Sequence, residues 1–451
     1  MKYQLFFVLH LLTFFNHVIA QQKPVVLTGA TVIDLTNYGN GNDDVPDAVV
    51  IIQKGKIVKV GTKHKIKIPK NGEVIDVTGQ YIIPGLIDGF STINNQGQAN
   101  AQLYMGVTTV SGGMRRDEGR GEFFYGAEPC PHIKQIESIP GDILDDTLEY
   151  KEKLSPDDIM RISRQLDKID SLKAAGVSTI LVHHRFPPDL LFKLMRQVKK
   201  HKMSIIGEIN LMSYQTAMNA GFNSFVHTSR YLLGAMPDSV RIPNMRLPED
   251  STVFKKFVYY FRNFSIDTDS GFIKYAKQIA FSHTALMPTL SLNYSSLPNH
   301  ENLWKEPASI LLDPNDIWLP MDITTGKSNS IFSERRALRE LEIEKGFVKW
   351  GAHYLTGSGA DAFGTMPGIS EHTEIELLHE IGLTRRQALA AATNNFSIFY
   401  GWKEIGLIEA GRNADLLVLS SNPIDNLKNL KKINMIWLSG KQINRSALLK
   451  K

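Results

Sequence analysis

Strands alternate with helices through the middle of this 451-residue chain, and that alternation restricts the fold more than any other feature. Parallel strands are joined by crossovers, and these are usually helices. The pattern predicts helices over 156–175, 188–200 and 214–220, and strands over 178–182, 204–208 and 223–227. We therefore expect an α/β fold with a parallel sheet in the middle of the chain.

The same pattern continues beyond residue 227. Strands are predicted over 285–290 and 353–356, and a helix over 335–349. Six or seven strand–helix units are recognisable, whereas eight close a TIM-type (β/α)8 barrel. The segment 292–327 is rich in proline, asparagine and aspartate, which predicts a long insertion on the barrel rim.

Both ends of the chain have a different pattern. Short strand-like runs separated by glycine turns occupy 25–83, and similar runs return over 405–443. We expect these two parts to form one composite β-sandwich domain. The predicted organisation is a signal peptide at 1–20, the first sandwich part at 21–83, the barrel at 84–402 and the second sandwich part at 403–451.

The first twenty residues are typical of a secretory signal. Lys2 precedes an apolar stretch, and small residues before Gln21 suit signal cleavage. A membrane anchor is the alternative, but Asn16 and His17 interrupt a run that is shorter than the roughly 20 residues a span needs. The prediction is a secreted or periplasmic protein with no transmembrane segment after cleavage.

The charge of the chain and its cysteine content limit the kinds of partner and of disulfide bond that are expected. The net charge of +5 is small for this length, and the lysines between 54 and 70 mostly alternate with apolar residues, as on a solvated strand face. A nucleic-acid partner is therefore not expected. Cys130 is the single cysteine, so an intrachain disulfide is impossible. A small-molecule ligand is expected, and the sequence leaves a homo-oligomer open.

Several motifs together indicate a family. They are YIIPGLID at 81–88, GVTTV at 106–110, AGFNSFVH at 220–227 and GLIEAG at 406–411. Their order and spacing resemble the imidazolonepropionase-like branch of the amidohydrolase superfamily. The resemblance implies a (β/α)8 barrel with a β-sandwich. It also implies hydrolysis of C–N bonds by water that one or two divalent metals activate.

The family's metal ligands are partly missing. Where the first motif normally continues into His-x-His, this chain has Phe90 and Thr92. Leu181 stands at the position of the metal-bridging lysine, and Glu208 stands where the family has histidine. These changes argue against a centre with two metals.

Three family positions can still bind a cation. Glu208 offers a carboxylate, and His227 and Asp361 match the family's residues on strands 6 and 8. The resemblance implies one zinc-like metal at most, held by these three residues, with Asp361 also serving as the catalytic base. His183, two residues beyond Leu181, is a further candidate ligand because alternate strand residues point the same way.

Four residues are predicted to contact a substrate or ligand. Phe90 and Leu181 make the pocket apolar where the family is polar. Arg115 follows strand 2 and can hold an anionic group. His372 resembles a family histidine near the barrel mouth. The sequence thus supports an amidohydrolase-like hydrolase with a degenerate metal centre, or a non-catalytic ligand-binding or partner protein on the same fold, and leaves open whether it is an enzyme.

Overall fold

The computed structural model describes residues 23–112, 128–140, 154–240 and 251–450. The predicted signal peptide and Arg115 lie outside these ranges. None of the helices in them is long and apolar enough to cross a membrane.

Fifteen strands are found in the described ranges. In chain order they are β1 (Val25–Val32), β2 (Val45–Gln53), β3 (Lys56–Thr62), β4 (Glu73–Asp76), β5 (Tyr81–Pro84), β6 (Leu86–Asp88), β7 (Val107–Gly112), β8 (His132–Ile139), β9 (Val177–Val182), β10 (Ser204–Gly207), β11 (Ser224–Val226), β12 (Ala285–Met287), β13 (Leu416–Leu419), β14 (Ile433–Leu438) and β15 (Lys441–Ile443). They form two sheets.

The first sheet joins the two ends of the chain. Its order is β15-β14-β13-β5-β1-β2-β3, and β4 pairs with β1. The junction is the antiparallel pair β5–β13, in which Pro84 lies opposite Leu416. Both ends thus share one sheet, as a composite domain requires, while the two-layer sandwich and the domain boundaries stay predictions.

The second sheet is parallel and curled. Its order is β12-β11-β10-β9-β8-β7-β6. The segment 353–356 lies between the two edge strands: Leu286 N donates to His353 O at 2.8 Å, and Gly89 N donates to Thr356 O at 3.1 Å. This segment forms an isolated bridge at Tyr354 instead of the predicted strand. A closed barrel is consistent with these bonds.

Helices follow most strands of the second sheet. The α-helices are Thr36–Gly39, Gln96–Tyr104, Pro156–Leu166, Ile169–Ala174, Leu191–Lys200, Tyr214–Ala220, Thr228–Tyr231, Thr252–Asn263, Ser270–Phe281, Glu334–Lys349, Ile369–Glu380, Arg385–Ala391, Asn394–Phe399 and Arg445–Leu448. The rim insertion contains short 3-10 helices, among them Leu290–Ser296 and Pro307–Leu311.

Side-chain alternation on the strands separates two apolar cores. On β9, Ile180 packs outward into the large core beneath the helices. Its neighbour Leu181 points inward into a smaller core with Ile206 and Val226. The inward face of the sheet is therefore apolar at mid-height, and polar side chains collect where the strands end.

Candidate functional site

A cavity of about 360 Å³ opens at the carboxyl ends of the parallel strands. Its lining includes Phe90, Thr92, Leu181, His227, Trp318 and Asp361. Barrel enzymes place their chemistry at this end of the sheet because the loops that follow the strands converge there. We refer to it as the mouth cavity.

Asp361 is buried in the wall of the mouth cavity, with 4% of its surface exposed. Asn94 Nδ2 donates a 2.8 Å hydrogen bond to one carboxylate oxygen, Oδ2. The other oxygen, Oδ1, has no hydrogen-bond partner among the described residues. A buried carboxylate with one fixed and one unoccupied oxygen is suited to accept a proton or bind a cation. Asn94 was not predicted from the sequence.

His227 follows β11 and is oriented by a hydroxyl. Its Nδ1 lies 2.7 Å from Thr289 Oγ1, which itself donates to the Pro288 carbonyl at 2.6 Å. Because that hydroxyl proton is already used, Nδ1 must be the donor, which leaves Nε2 with its lone pair. Burial lowers the pKa of His227 to about 4. The ring is therefore neutral at pH 7 and suited to act as a ligand or acceptor.

Phe90 packs with its ring edge-on to His227, at a centroid distance of 5.3 Å. Leu181 also lines the mouth cavity. These two predicted contact residues therefore do reach the cavity, and they make its inner part apolar.

A second group of polar side chains follows β9 and β10. His183, His184 and Glu208 each offer a ligand atom, and these atoms lie within 4.8 Å of one another. Burial lowers the pKa of His184 to about 3, so its imidazole is neutral at pH 7. His184 was not predicted, whereas His183 was the further candidate.

Glu208 also contacts a cation from the chain itself. Arg230 Nε lies 2.8 Å from Glu208 Oε1, while His183 Nε2 lies 4.0 Å from Oε2. Burial alone raises the pKa of Glu208, but the charge of Arg230 and then that of His183 outweigh it and bring the pKa to about 2. The carboxylate is therefore ionised at pH 7, with one oxygen bound to Arg230.

These donors suit a zinc-like ion. Three protein ligands, two of them imidazoles, are the usual set at a catalytic zinc. The positive charge of Arg230 would repel a metal cation bound nearby. However, Arg230 occupies only one oxygen of Glu208 and leaves the other for the metal. His183, His184 and Glu208 therefore fit one divalent metal.

The predicted ligand set is arranged differently. Among the described residues, no group of three or more ligand atoms within 4.8 Å of one another contains His227 or Asp361. Glu208 turns toward Arg230, and Asp361 is held by Asn94, in the loop that follows β6. Joint binding of one metal by Glu208, His227 and Asp361 stays a prediction.

His372 is not in the lining of the mouth cavity. It is buried in the helix Ile369–Glu380, and its Nε2 lies 2.7 Å from the carbonyl oxygen of Met105. Met105 precedes β7, so this contact is at the opposite end of the strands. Burial lowers the pKa of His372 to about 4. The helix turns this side chain against the loop before β7, and the substrate contact of His372 stays a prediction.

The rim insertion supplies an aromatic wall that the sequence did not indicate. Trp318 packs on Phe363 with ring centroids 4.5 Å apart. Backbone bonds fix both residues: Trp318 N donates to Asp361 O at 3.0 Å, and Phe363 N donates to Trp318 O at 2.7 Å. The insertion thus closes one side of the mouth cavity beside the carboxylate.

Comparison with known proteins connects this arrangement to a family. Residues 354–443 match the amidohydrolase family model. A comparison with curated protein sequences finds no match.

Solved structures share the fold over nearly the whole chain. Bottromycin amidohydrolase is 16% identical with a TM-score of 0.63, and the alignment covers 94% of this chain and 87% of that one. A Xaa-Pro dipeptidase with bound methionine is 14% identical with a TM-score of 0.58, covering 93% and 100%. The A. niger ochratoxinase is 16% identical with a TM-score of 0.57, covering 93% and 95%. At such low identity, these likenesses establish the fold.

Proposed function

We propose that this chain hydrolyses an amide C–N bond of a small molecule or dipeptide. The premise of the proposal is that the chain belongs to the amidohydrolase superfamily. The observation that carries the proposal is the mouth cavity, where the carboxylate of Asp361 and the neutral ring of His227 face the same space. Membership of the imidazolonepropionase-like branch stays a prediction.

Each polar residue at the mouth cavity has its own role in the proposed reaction. Asp361 accepts the proton of the attacking water through its unoccupied Oδ1, while Asn94 holds the other oxygen in place. His227 presents Nε2 to the polar group of the substrate. Thr289 keeps the ring in that orientation, which saves reorganisation during the reaction.

One divalent metal would be held by His183, His184 and Glu208. When bound, it would supply a Lewis acid that polarises a carbonyl oxygen and favours ionisation of water. Arg230 orients the Glu208 carboxylate from behind, as partners of ligating carboxylates commonly do.

The metal site is tested by metal analysis of the purified protein after expression in supplemented medium. We expect close to one equivalent of a divalent metal in the wild type and at least a tenfold loss in affinity for His184→Ala. His201→Ala is the matched control, because His201 lies on the outside of the barrel beside Asp170. Less than a tenth of an equivalent in the wild type contradicts the metal site.

Turnover is tested with a panel of dipeptides and cyclic amides. Asp361→Asn keeps the size of the side chain and removes the base, so we expect kcat to fall by about 10²- to 10⁴-fold. Activity that survives this substitution unchanged contradicts the assigned role.

A ligand-binding protein without turnover is the second candidate. It is favoured by Phe90, which packs against His227, and by Arg230, which already compensates the charge of Glu208. Apolar walls with few polar groups are typical of binding pockets. Turnover that disappears in Asp361→Asn contradicts this candidate.

Export from the cytoplasm is part of the proposal and is supported by the signal-like pattern of residues 1–20. N-terminal sequencing of the protein recovered from the host's exported fraction tests it. Gln21 is the expected first residue, and an intact Met1 contradicts cleavage.

A further inference from the structure

A groove of about 770 Å³ separates the helix Thr252–Asn263 from the helix Glu334–Lys349. Its floor contains Phe254, Phe257 and Phe261, which follow one another along one face of the first helix. Their rings lie 6.4 Å and 6.2 Å apart. We refer to this feature as the helix groove.

The described residues cover the apolar face of the helix groove only in part: Phe254, Phe257 and Phe261 are half-buried, and the last two pack against the large core. No residue of the helix Thr252–Asn263 is fully buried. Across the groove, Ile331 is 70% exposed and Leu338 is 45% exposed. An amphipathic helix normally buries its apolar stripe against the core, and contiguous exposed apolar surface marks an interaction site.

The lining of the helix groove holds four arginines against two glutamates, Glu334 and Glu342, so its net charge is positive. Arg336 is paired with Glu340 at 3.0 Å and Arg339 with Glu342 at 2.7 Å. Arg262 and Arg335 also line the groove, are exposed, and form no ion pair within the described part of the chain. The groove therefore combines an apolar floor with cationic groups that remain available for an anion.

The helix groove lies next to the mouth cavity. Ser229 lines the groove and follows His227, which lines the cavity, by two residues. On the other side, Phe332 packs on Phe363 of the cavity wall at 4.5 Å, and the Arg336 guanidinium lies 4.1 Å above the Phe332 ring. The groove and the cavity are therefore neighbours, although they share no lining residue.

We propose that the helix groove binds the apolar chain of an anionic amphiphile, with its carboxylate at Arg262 and Arg335. The charge of the rim selects the anion, and the phenylalanine floor selects an acyl or aryl chain. From Phe254 to Phe261 the helix rises roughly 10 Å, which gives the length of chain it can cover. The volume also falls in the range of small-molecule sites.

The class of substrate that follows from the helix groove rests on the proposed function, amide hydrolysis. If the chain hydrolyses amides, its substrates are amides that carry such an anionic apolar chain. Binding of the chain itself needs no turnover and can be measured separately.

The test is calorimetric titration of the full-length protein with dodecanoate, using methyl dodecanoate and acetate as comparison ligands. We expect dodecanoate to bind, methyl dodecanoate to bind about tenfold more weakly because it lacks the carboxylate charge, and acetate to show no binding because it lacks the apolar chain. A tenfold change in affinity corresponds to about 1.4 kcal/mol. The double variants Arg262→Glu/Arg335→Glu and Phe257→Ser/Phe261→Ser are each expected to weaken dodecanoate binding at least tenfold.

Matched controls come from the helix Leu191–Lys200, where Phe192 is 81% exposed and Arg196 is exposed. Phe192→Ser and Arg196→Glu change the same residue types on another surface and are expected to leave dodecanoate binding unchanged. Asp361→Asn should also bind dodecanoate normally, so failure of catalysis and failure of the groove are distinguishable.

Three results overturn the proposal. The first is dodecanoate binding that none of the groove variants alters. The second is an absence of dodecanoate binding. If the protein then binds anionic phospholipid vesicles and the groove variants abolish that binding, the surface is a membrane site. The third is a dimer in sedimentation that the groove variants dissociate, which makes the occupant a second copy of the chain.

Discussion

Glu374→Gln is the substitution whose effect follows most directly from the buried polar groups of the fold. Glu374 is fully buried in the helix Ile369–Glu380 and accepts a 2.7 Å hydrogen bond from the backbone N–H of Ser291. Burial raises its pKa to about 8, and the carboxylate of Asp88 adds to the shift. Asp88 in turn accepts hydrogen bonds from Ser358, in the segment that leads to Asp361.

The raised pKa gives the sign of a pH dependence. The ordinary value is 4.5 and the folded value is about 8, so between these pH values the folded chain binds a proton that the unfolded chain has lost. The free energy of unfolding is therefore highest below pH 4.5, as far as this group is concerned, and falls as the pH rises toward 8. At 1.36 kcal/mol per pKa unit, the cost at pH 7 is about 3 kcal/mol.

Glutamine stays neutral at every pH and keeps an oxygen that can accept from Ser291. We therefore expect Glu374→Gln to be more stable than wild type by up to about 3 kcal/mol at pH 7, and to be equal to it near pH 4.5. Urea unfolding at half-unit steps from pH 4.5 to 8 measures the difference. Glu380→Gln, an exposed position at the end of the same helix, is the control. A difference that does not change with pH, or a less stable variant at pH 8, refutes the reasoning.

Three further substitutions test the site. Asn94→Ala leaves Asp361 without its donor, so kcat for any amide substrate should fall about tenfold with little change in KM; an equal loss in both parameters contradicts a positioning role. Arg230→Met leaves Glu208 as an uncompensated buried charge and should lower the free energy of unfolding at pH 7 by about 3 kcal/mol. Because the pKa of Glu208 is lowered to about 2, that loss should shrink as the pH falls from 4.5 toward 2, and urea unfolding across this range checks it. Thr289→Val removes the acceptor for Nδ1 of His227, and nitrogen NMR of the ring should then show a mixture of tautomers in place of one.

Many strands and helices were predictable because the pattern of apolar residues within each short segment indicates which of the two it forms. The predicted strand 178–182 is observed as β9 (Val177–Val182), and the helix Tyr214–Ala220 has its predicted bounds. The predicted helix 156–175 was wrong, since it is two helices that separate after Leu166. No glycine or proline marks that break, so nothing in the local sequence could have revealed it.

The site was less predictable because it depends on geometry beyond the strand ends. His183 and His184 are consecutive, and within a strand their side chains would point to opposite faces. Both lie beyond the end of β9, where this alternation no longer applies, and both reach Glu208. Arg230 and Asn94 approach their carboxylates from other elements of the fold, and no spacing in the sequence encodes those contacts.

The pairing of β5 with β13 has a consequence for biosynthesis. The ribosome releases β5 early, but its partner β13 emerges only after the whole parallel sheet, β6 to β12, has been made. At ordinary elongation rates that interval is tens of seconds. During this time one edge of β5 remains unpaired and open to wrong partners. Correct maturation of this protein therefore depends on how well the nascent chain is shielded until its last strands arrive.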